Sequence, residues 1–290
     1  MRRHISHPSL SFSRANLFRA SCLAFAFVFL GSAAATAGPL FAFGNHAGED
    51  HSFEANEHRN GNLESIILTG ATLESSDFRN INFTNAILDD ATLISTNLRN
   101  ANVMNASVLS ANLTNADITN TRFGGANLSG SILLNAMGRN ADFTGTTVVG
   151  ADLSGAELTN ARFGGSDLTG SVLANTDLAN AQFVGADLTG SVFDGASARN
   201  ANFVNVIANG VTFGTADIRN AQFVGASLLG ADLSNVSDST NTNFAGAFFD
   251  SATQFAPGFD TSSLIFVPEP SSLILLGLGL AGLAAASRRA

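Results

Sequence analysis

Residues 163–192 read FGGSDLTGSVLANTDLANAQFVGADLTGSV. A bulky apolar residue returns at every fifth position: Phe163, Leu168, Leu173, Leu178, Phe183 and Leu188. The phase extends outward in both directions, from Leu63 to Leu233, and defines 35 centre positions. Thirty-two of them are Leu, Phe, Ile or Val; the exceptions are Gly138, Ala198 and Ala208. Two residues before the centre, 30 of 35 are Ala, Ser or Thr; two residues after it, 29 of 35 are Gly or Asn. A period of five fits neither a helix of 3.6 residues per turn nor a flat strand of period two. It fits a coil in which one large and one small residue point inward per unit. Gly or Asn then turns the corner, since both tolerate left-handed backbone angles. One unit alone buries almost nothing, so the core must come from stacking.

A second period sets the cross-section. DLTGSV occurs at 167–172 and again at 187–192, twenty residues apart. Sorted by position modulo twenty, the centres fall into four columns. One column runs Leu63, Phe83, Val103, Phe123, Phe143, Phe163, Phe183, Phe203, Phe223; the others together hold only Phe78, Phe193 and Phe213. Arg79, Arg99, Arg139, Arg199 and Arg219 also share a column, each one residue after a centre. Four units therefore return the chain to the same side. In the coil Phe183, Leu188, Phe193, Ala198 and in the next, Phe203, Ala208, Phe213, Ile218, two Phe face each other and an Ala occupies a remaining side. A fixed core volume per layer explains that exchange.

This pattern resembles the pentapeptide-repeat proteins over about 175 residues. The resemblance implies an all-β fold, a right-handed, four-sided parallel β-helix; the handedness comes from the resemblance and not from the period. With strands about 4.8 Å apart, the 35 units predict a rod about 42 Å long. The pattern breaks after Leu233: Asp238 falls where a centre belongs, and the phase resumes one residue late at Phe244 and Phe249. Phe255, Phe259 and Phe266 continue an aromatic segment suited to capping the last coil. The expected organisation is 1–37 signal peptide, 38–60 polar leader and N-terminal cap, 61–235 β-helix, 236–266 C-terminal cap and linker, and 267–290 sorting signal.

The two ends read as addresses. Arg2, Arg3, Arg14 and Arg19 precede the apolar run Leu23–Leu30, and Ala35-Thr36-Ala37 forms a small-residue cleavage site before Gly38. This predicts export by the general secretion machinery; the alternative is an uncleaved anchor. At the other end, Val267-Pro268-Glu269-Pro270 leads into an uncharged apolar stretch, Ser271–Ala286, and then Arg288-Arg289. A membrane helix at 271–287 would keep its arginines cytoplasmic and leave the preceding domain outside. Pro268, Glu269 and Pro270, followed by the apolar helix and the pair Arg288 and Arg289, are similar to the PEP-CTERM sorting signal of Gram-negative bacteria. That resemblance implies recognition by an exosortase-type transpeptidase and delivery to the cell surface or the extracellular polysaccharide. A plain C-terminal anchor is the alternative. A hydrophobic helix at each end of the precursor is thus expected.

Composition narrows function by exclusion. Of 290 residues, 13% are charged, there is no Trp or Tyr, and the 14 positive residues are all Arg. Setting aside the six terminal arginines and Glu269 leaves eight Arg against 22 acidic residues, about −14, which repels phosphate backbones. No nucleic-acid partner is expected. The single Cys22 lies within the signal. Leu63–Leu233 contains no His and no Cys, so the Ser-His and Cys-His arrangements of nucleophilic catalysis are absent there, and no cofactor loop is present.

Three weaker signals remain. His46, His51 and His58 lie among Glu49, Asp50, Glu54 and Glu57, a set that could ligate Zn²⁺ or Cu²⁺ or simply be a solvated leader. Asp77, Asp117, Asp177 and Asp217, with Asp142, Asp152, Asp167, Asp187 and Asp232, precede centres and could bind Ca²⁺ or hydrogen-bond the corners. The Arg column could be a stripe for anionic ligands or could pair with neighbouring Asp. The reading is an exported, non-enzymatic structural or interaction scaffold. The alternatives are an acidic DNA mimic binding a topoisomerase, and a module binding polysaccharide or a surface protein.

Overall fold

The computed structural model describes residues 47–48, 59–237 and 239–268, all within the compact unit Pro39–Ala290. Among them the chain is all-β and winds as a parallel β-helix. Asn62 bridges Asn82, Asn82 bridges Asn102, and the offset of twenty recurs on all four sides up to Thr212↔Asp232.

One pentad shows how the sequence produces the coil. Leu168 points inward and is fully buried. Its N–H donates to Asp187 O one coil on at 2.7 Å, and Gly170 N–H donates to Thr189 O at 2.8 Å. Ser171 N–H closes the corner on Leu168 O at 3.0 Å, and Val172 N–H reaches back to Ala151 O at 2.9 Å. The residue two after the centre carries a positive φ, 65° at Gly170 and 56° at Asn175, as the third position of a type II turn requires. Gly and Asn are therefore favoured at that position by the backbone, although Ser65, Ser75, Asp90, Ser95 and Ser110 adopt the same φ there. The small residue after each corner is buried as well. Where it is Ser or Thr, its hydroxyl is satisfied by a main-chain carbonyl, as in Thr121 Oγ1 to Leu98 O and Ser191 Oγ to Leu188 O, so burial costs no orphaned donor.

The Phe column becomes a stack. Phe123, Phe143, Phe163, Phe183, Phe203, Phe223 and Phe244 lie ring on ring with centroids 4.6–5.0 Å apart and planes within 9°. The spacing is that of the strands themselves. In the two coils with opposed Phe, the rings meet across the core edge to face, Phe183–Phe193 at 6.2 Å and Phe203–Phe213 at 6.3 Å. That contact occupies the space which Ala198 and Ala208 leave free. At Gly138 the missing side chain is replaced by neighbours above and below: a Cβ there would lie 2.6 Å from Leu158 Cδ2 and 3.1 Å from Ile118.

The phase slip has a defined place. Ser237 N–H still donates to Ala216 O in the old register, whereas Thr242 N–H donates to Ser239 O in the new one. The register therefore slips by one residue between these two bonds, and Ser239 takes the place of a centre in the backbone bonding. Pairing then continues with longer offsets, Gln222↔Asn243 and Ser227↔Phe248. Four short strands flank the slip, β1 (Asp232–Leu233) before it and β2 (Phe248–Phe249), β3 (Gln254–Phe255) and β4 (Ile265–Phe266) after it. β1 pairs with β3 and β2 with β4, all parallel. Phe259 meets Phe244 edge to face at 5.1 Å and stacks on Phe255 at 4.6 Å, while Phe266 meets Phe249 at 5.4 Å. No helix among the described residues is long and apolar enough to cross a membrane. The expected terminal helices gain no support from the structure, because residues 1–37 and 271–287 lie outside the described residues.

Candidate interaction surfaces

Because every inward position is filled, function must lie on the outward side chains: the face residue before each centre and the corner residue after it. The four faces differ. One carries Asp77, Asp117, Glu157, Asp177 and Asp217 in register. The Arg column lies at the corner that follows it, and Asp77, Asp117 and Asp217 pair with it. Arg59 and Arg79 both bind Asp77, the second at 2.9 Å. Arg99 reaches Asp117 at 3.3 Å, and Asp217 is held between Arg199 at 2.6 Å and Arg219 at 2.7 Å. Partial burial pushes the Asp77 carboxyl up, but the hydrogen bonds from Arg79 and Arg59 outweigh this and hold it down at about 2. The Asp217 carboxyl is lowered as well, chiefly by its hydrogen bond from Arg219. Of the predicted stripe, four arginines are thus engaged with Asp; Arg139 forms no ion pair among the described residues.

The remaining Asp candidates are corner caps. Asp167 Oδ1 accepts from Thr169 N–H at 3.0 Å and from its hydroxyl at 2.6 Å, and Asp187 does the same with Thr189. Asp142, Asp152 and Asp232 likewise accept from the N–H groups of Thr144, Ser154 and Ser234. This is the short-range hydrogen bonding that makes Asp a turn residue. Among the described residues no group of three His, Cys, Asp or Glu is placed to hold a metal ion. His46, His51 and His58 lie outside the described residues, as do Ala35, Ala37 and Gly38. Of the sorting motif, Pro268 is described and exposed; Glu269, Pro270, Arg288 and Arg289 are not.

A feature missed at the sequence level is an asparagine ladder on the Arg corner. Positions 60, 80, 100, 120, 140, 160, 180, 200, 220 and 241 are all Asn. The amide of Asn80 donates to Asn60 at 2.8 Å, Asn100 to Asn80 at 3.0 Å, Asn120 to Asn100 at 3.0 Å, and Asn140 to Asn120 at 3.1 Å. Asn160 donates to Asn140 at 3.2 Å, and beyond the gap between Asn160 and Asn180 the chain of bonds resumes from Asn200 to Asn180 at 3.1 Å and from Asn220 to Asn200 at 3.2 Å. The next face continues in amides: Asn82 donates to Asn62 at 2.7 Å and Asn202 to Gln182 at 3.1 Å. The signal is present in the sequence, where the corner position sorted modulo twenty gives a column of Asn.

The model for pentapeptide repeats matches eight copies across residues 66–103, 105–135, 139–175, 171–214 and 199–235. These cover more than half of the chain, and the chain belongs to the pentapeptide-repeat family. It also carries the PEP-CTERM protein-sorting motif at residues 266–289, which supports an exported protein of a Gram-negative bacterium handled by exosortase-type sorting machinery. Among solved structures the chain is similar to HetL, a pentapeptide repeat protein involved in heterocyst differentiation regulation from the cyanobacterium Nostoc sp. Strain PCC 7120. The two are 24% identical, covering 74% of this chain and 89% of that one, with a TM-score of 0.41. It is also similar to QnrB1, a plasmid-mediated fluoroquinolone resistance protein, at 17% identity, covering 65% and 95%, with a TM-score of 0.32. A third is Rfr23 from the cyanobacterium Cyanothece 51142, at 21% identity, covering 38% and 63%, with a TM-score of 0.21. No curated protein matches the chain.

Proposed function

We propose that the protein is an exported, non-enzymatic scaffold that carries a rigid acidic rod to the cell surface or the exopolysaccharide matrix. The observation that carries this reading is the PEP-CTERM motif at 266–289 placed directly on the rod's last strand, β4. In this reading the chain is cut after Ala37, so that Gly38 becomes the new N-terminus. The apolar segment 271–287 then holds the precursor in the inner membrane until an exosortase-type transpeptidase removes it. The outward surface suits a structural role, since Asp77, Asp117 and Asp217 pair with arginine, Asp167 and Asp187 cap their corners, and its amides bond one another. The topoisomerase-binding alternative loses ground for the same reason: Asp77, Asp117 and Asp217 carry arginine partners, unlike a row of free phosphates. A polysaccharide or a surface protein remains the partner class that fits the address.

Mass spectrometry of the native extracellular protein tests this directly. The expected species begins at Gly38 and lacks the apolar tail. A protein recovered only from the cytosol, or one that retains residues 1–37, would overturn the reading.

A further inference from the structure

Seven large apolar side chains are exposed among the described residues. Ile132, Met137, Val184 and Ile207 stand along the rod, whereas Phe248, Ile265 and Phe266 lie together in its last two rungs. Phe248 is opposite Ile265 in the β2–β4 pair, and Phe266 is opposite Phe249. Phe266 is the telling residue. It follows Ile265 as Phe249 follows Phe248, so it occupies the column of an inward position, yet it is 51% exposed. Phe163 and Phe203, inward in the middle of the rod, are 0% exposed. The ring has Phe249 beneath it at 5.4 Å and no further coil above it among the described residues.

The chain leaves from this same place. Val267 N–H still donates to Phe249 O at 2.7 Å, and Pro268 is exposed. The uncharged apolar segment begins at Ser271, five residues after Phe266. Fully extended, five residues reach at most about 18 Å. A tail buried in a bilayer from Ser271 onward therefore keeps the end of the rod within about 18 Å of the hydrocarbon boundary, close to the headgroup layer. Apolar side chains at that depth are stabilised by partial burial in the headgroup–acyl boundary.

We infer that the C-terminal end of the rod is a membrane-seating surface. While the tail is in place, Phe248, Ile265 and Phe266 rest in the interface of the bilayer that holds it, and the rod stands on the membrane on this end. The inference rests on the reading of 271–287 as a membrane segment, and the occupant is the lipid bilayer. Asp250 and Asp260 belong to the same end, but their carboxylates are turned to Gly230 N–H at 2.9 Å and Ser262 N–H at 2.9 Å.

The test uses the chain from Gly38 onward, which contains no cysteine, reconstituted in vesicles of phosphatidylethanolamine and phosphatidylglycerol with brominated acyl chains. A fluorophore is placed in turn at Ser263→Cys beside the surface, Glu64→Cys at the far end, and Leu276→Cys in the tail. Bromine should quench the labels at 276 and 263 and leave the one at 64 unchanged. Ile265→Asp with Phe266→Asp should then abolish quenching at 263 while 276 stays quenched. Quenching at 276 without quenching at 263 overturns the inference and leaves the membrane tail standing. No quenching at 276 overturns both. Energy transfer between copies at 263 without lipid quenching makes the surface a self-association face and also overturns it. Quenching at 263 that survives the double substitution shows that these side chains do not seat the rod.

Discussion

Replacing Asn120 separates what the asparagine ladder contributes from what the corner demands. Asn120 sits at φ 56°. Its amide donates to Asn100 at 3.0 Å and its carbonyl accepts from Asn140 at 3.1 Å. Asn120→Gly keeps the left-handed backbone accessible and removes both bonds. Each is exposed, so each contributes at the low end of the usual range, about 0.5 kcal/mol; the added freedom of Gly in the unfolded chain costs about 0.5 kcal/mol more. The sum is about 1.5 kcal/mol. Asn120→Ala loses the same bonds and also the short polar side chain that lets Asn tolerate the left-handed region, so Ala bears the steric penalty there, about 1–2 kcal/mol. The expected order of stability is therefore Asn, then Gly, then Ala. Asn160 provides the internal control. It donates to Asn140 at 3.2 Å, and Asn180 makes no amide bond back to it, so Asn160→Gly removes one bond instead of two. Its cost should be smaller by about 0.5 kcal/mol. The assay is urea unfolding followed by circular dichroism, with hydrogen exchange of the substituted coil as a local readout, because linear repeats need not unfold in one step. An Asn120→Gly protein as stable as its parent, or an Asn160→Gly cost equal to or larger than that of Asn120→Gly, would refute the ladder as a stabilising element.

Three further outcomes follow from the same geometry. Gly138→Leu should overpack its layer by about 1–3 kcal/mol, since Leu158 and Ile118 already fill the space. Combined with Leu158→Ala, it should cost clearly less than the two single changes added together, and strict additivity in thermal unfolding would show that the two positions do not share that volume. Ser95 holds φ 55° with an exposed side chain, so Ser95→Gly should stabilise by about 0.5 kcal/mol, the left-handed penalty less the entropy of Gly; a fall in midpoint contradicts this. The lowered carboxyls of Asp77, at about 2, and of Asp217 contribute stability that is complete above the ordinary carboxylate range. That stability is lost as pH falls through the folded-state values. Melting midpoints measured from pH 4 downward should therefore drop more steeply in the parent than in Asp77→Asn with Asp217→Asn, and parallel curves would sink the assignment.

The inward half of this fold was legible because volume dictates it. Phe183 and Phe193 meet across one layer at 6.2 Å, and Ala198 is what the remaining space admits. Sequence alone therefore gave the period, the four sides and the exchange of Phe against Ala. It placed the phase slip correctly after Leu233, but it could not see that Ser239 takes over the centre position in the backbone bonding, because a Ser there breaks the apolar pattern that marks a centre. The backbone bond from Thr242 to Ser239 O is what identifies it.

The outward half was legible only in part, and the reason lies in the backbone. Val172 N–H and Asp152 N–H make the same ladder bonds, to Ala151 O at 2.9 Å and to Ser131 O at 3.0 Å. The coil therefore accepts Val, Asp, Arg or Asn at a face position without preference, and side chains there carry information only where they contact each other. The Asp and Arg columns could be foreseen as partners because opposite charges one coil apart attract. The asparagine column is subtler. A positive φ is satisfied by Gly as readily as by Asn, and Gly fills most rungs of another corner, from Gly130 to Gly230. Ten successive Asn at one corner are therefore more than the turn requires. The surplus is the side-chain ladder, a direct contact along the rod that a reading of one unit at a time does not reach.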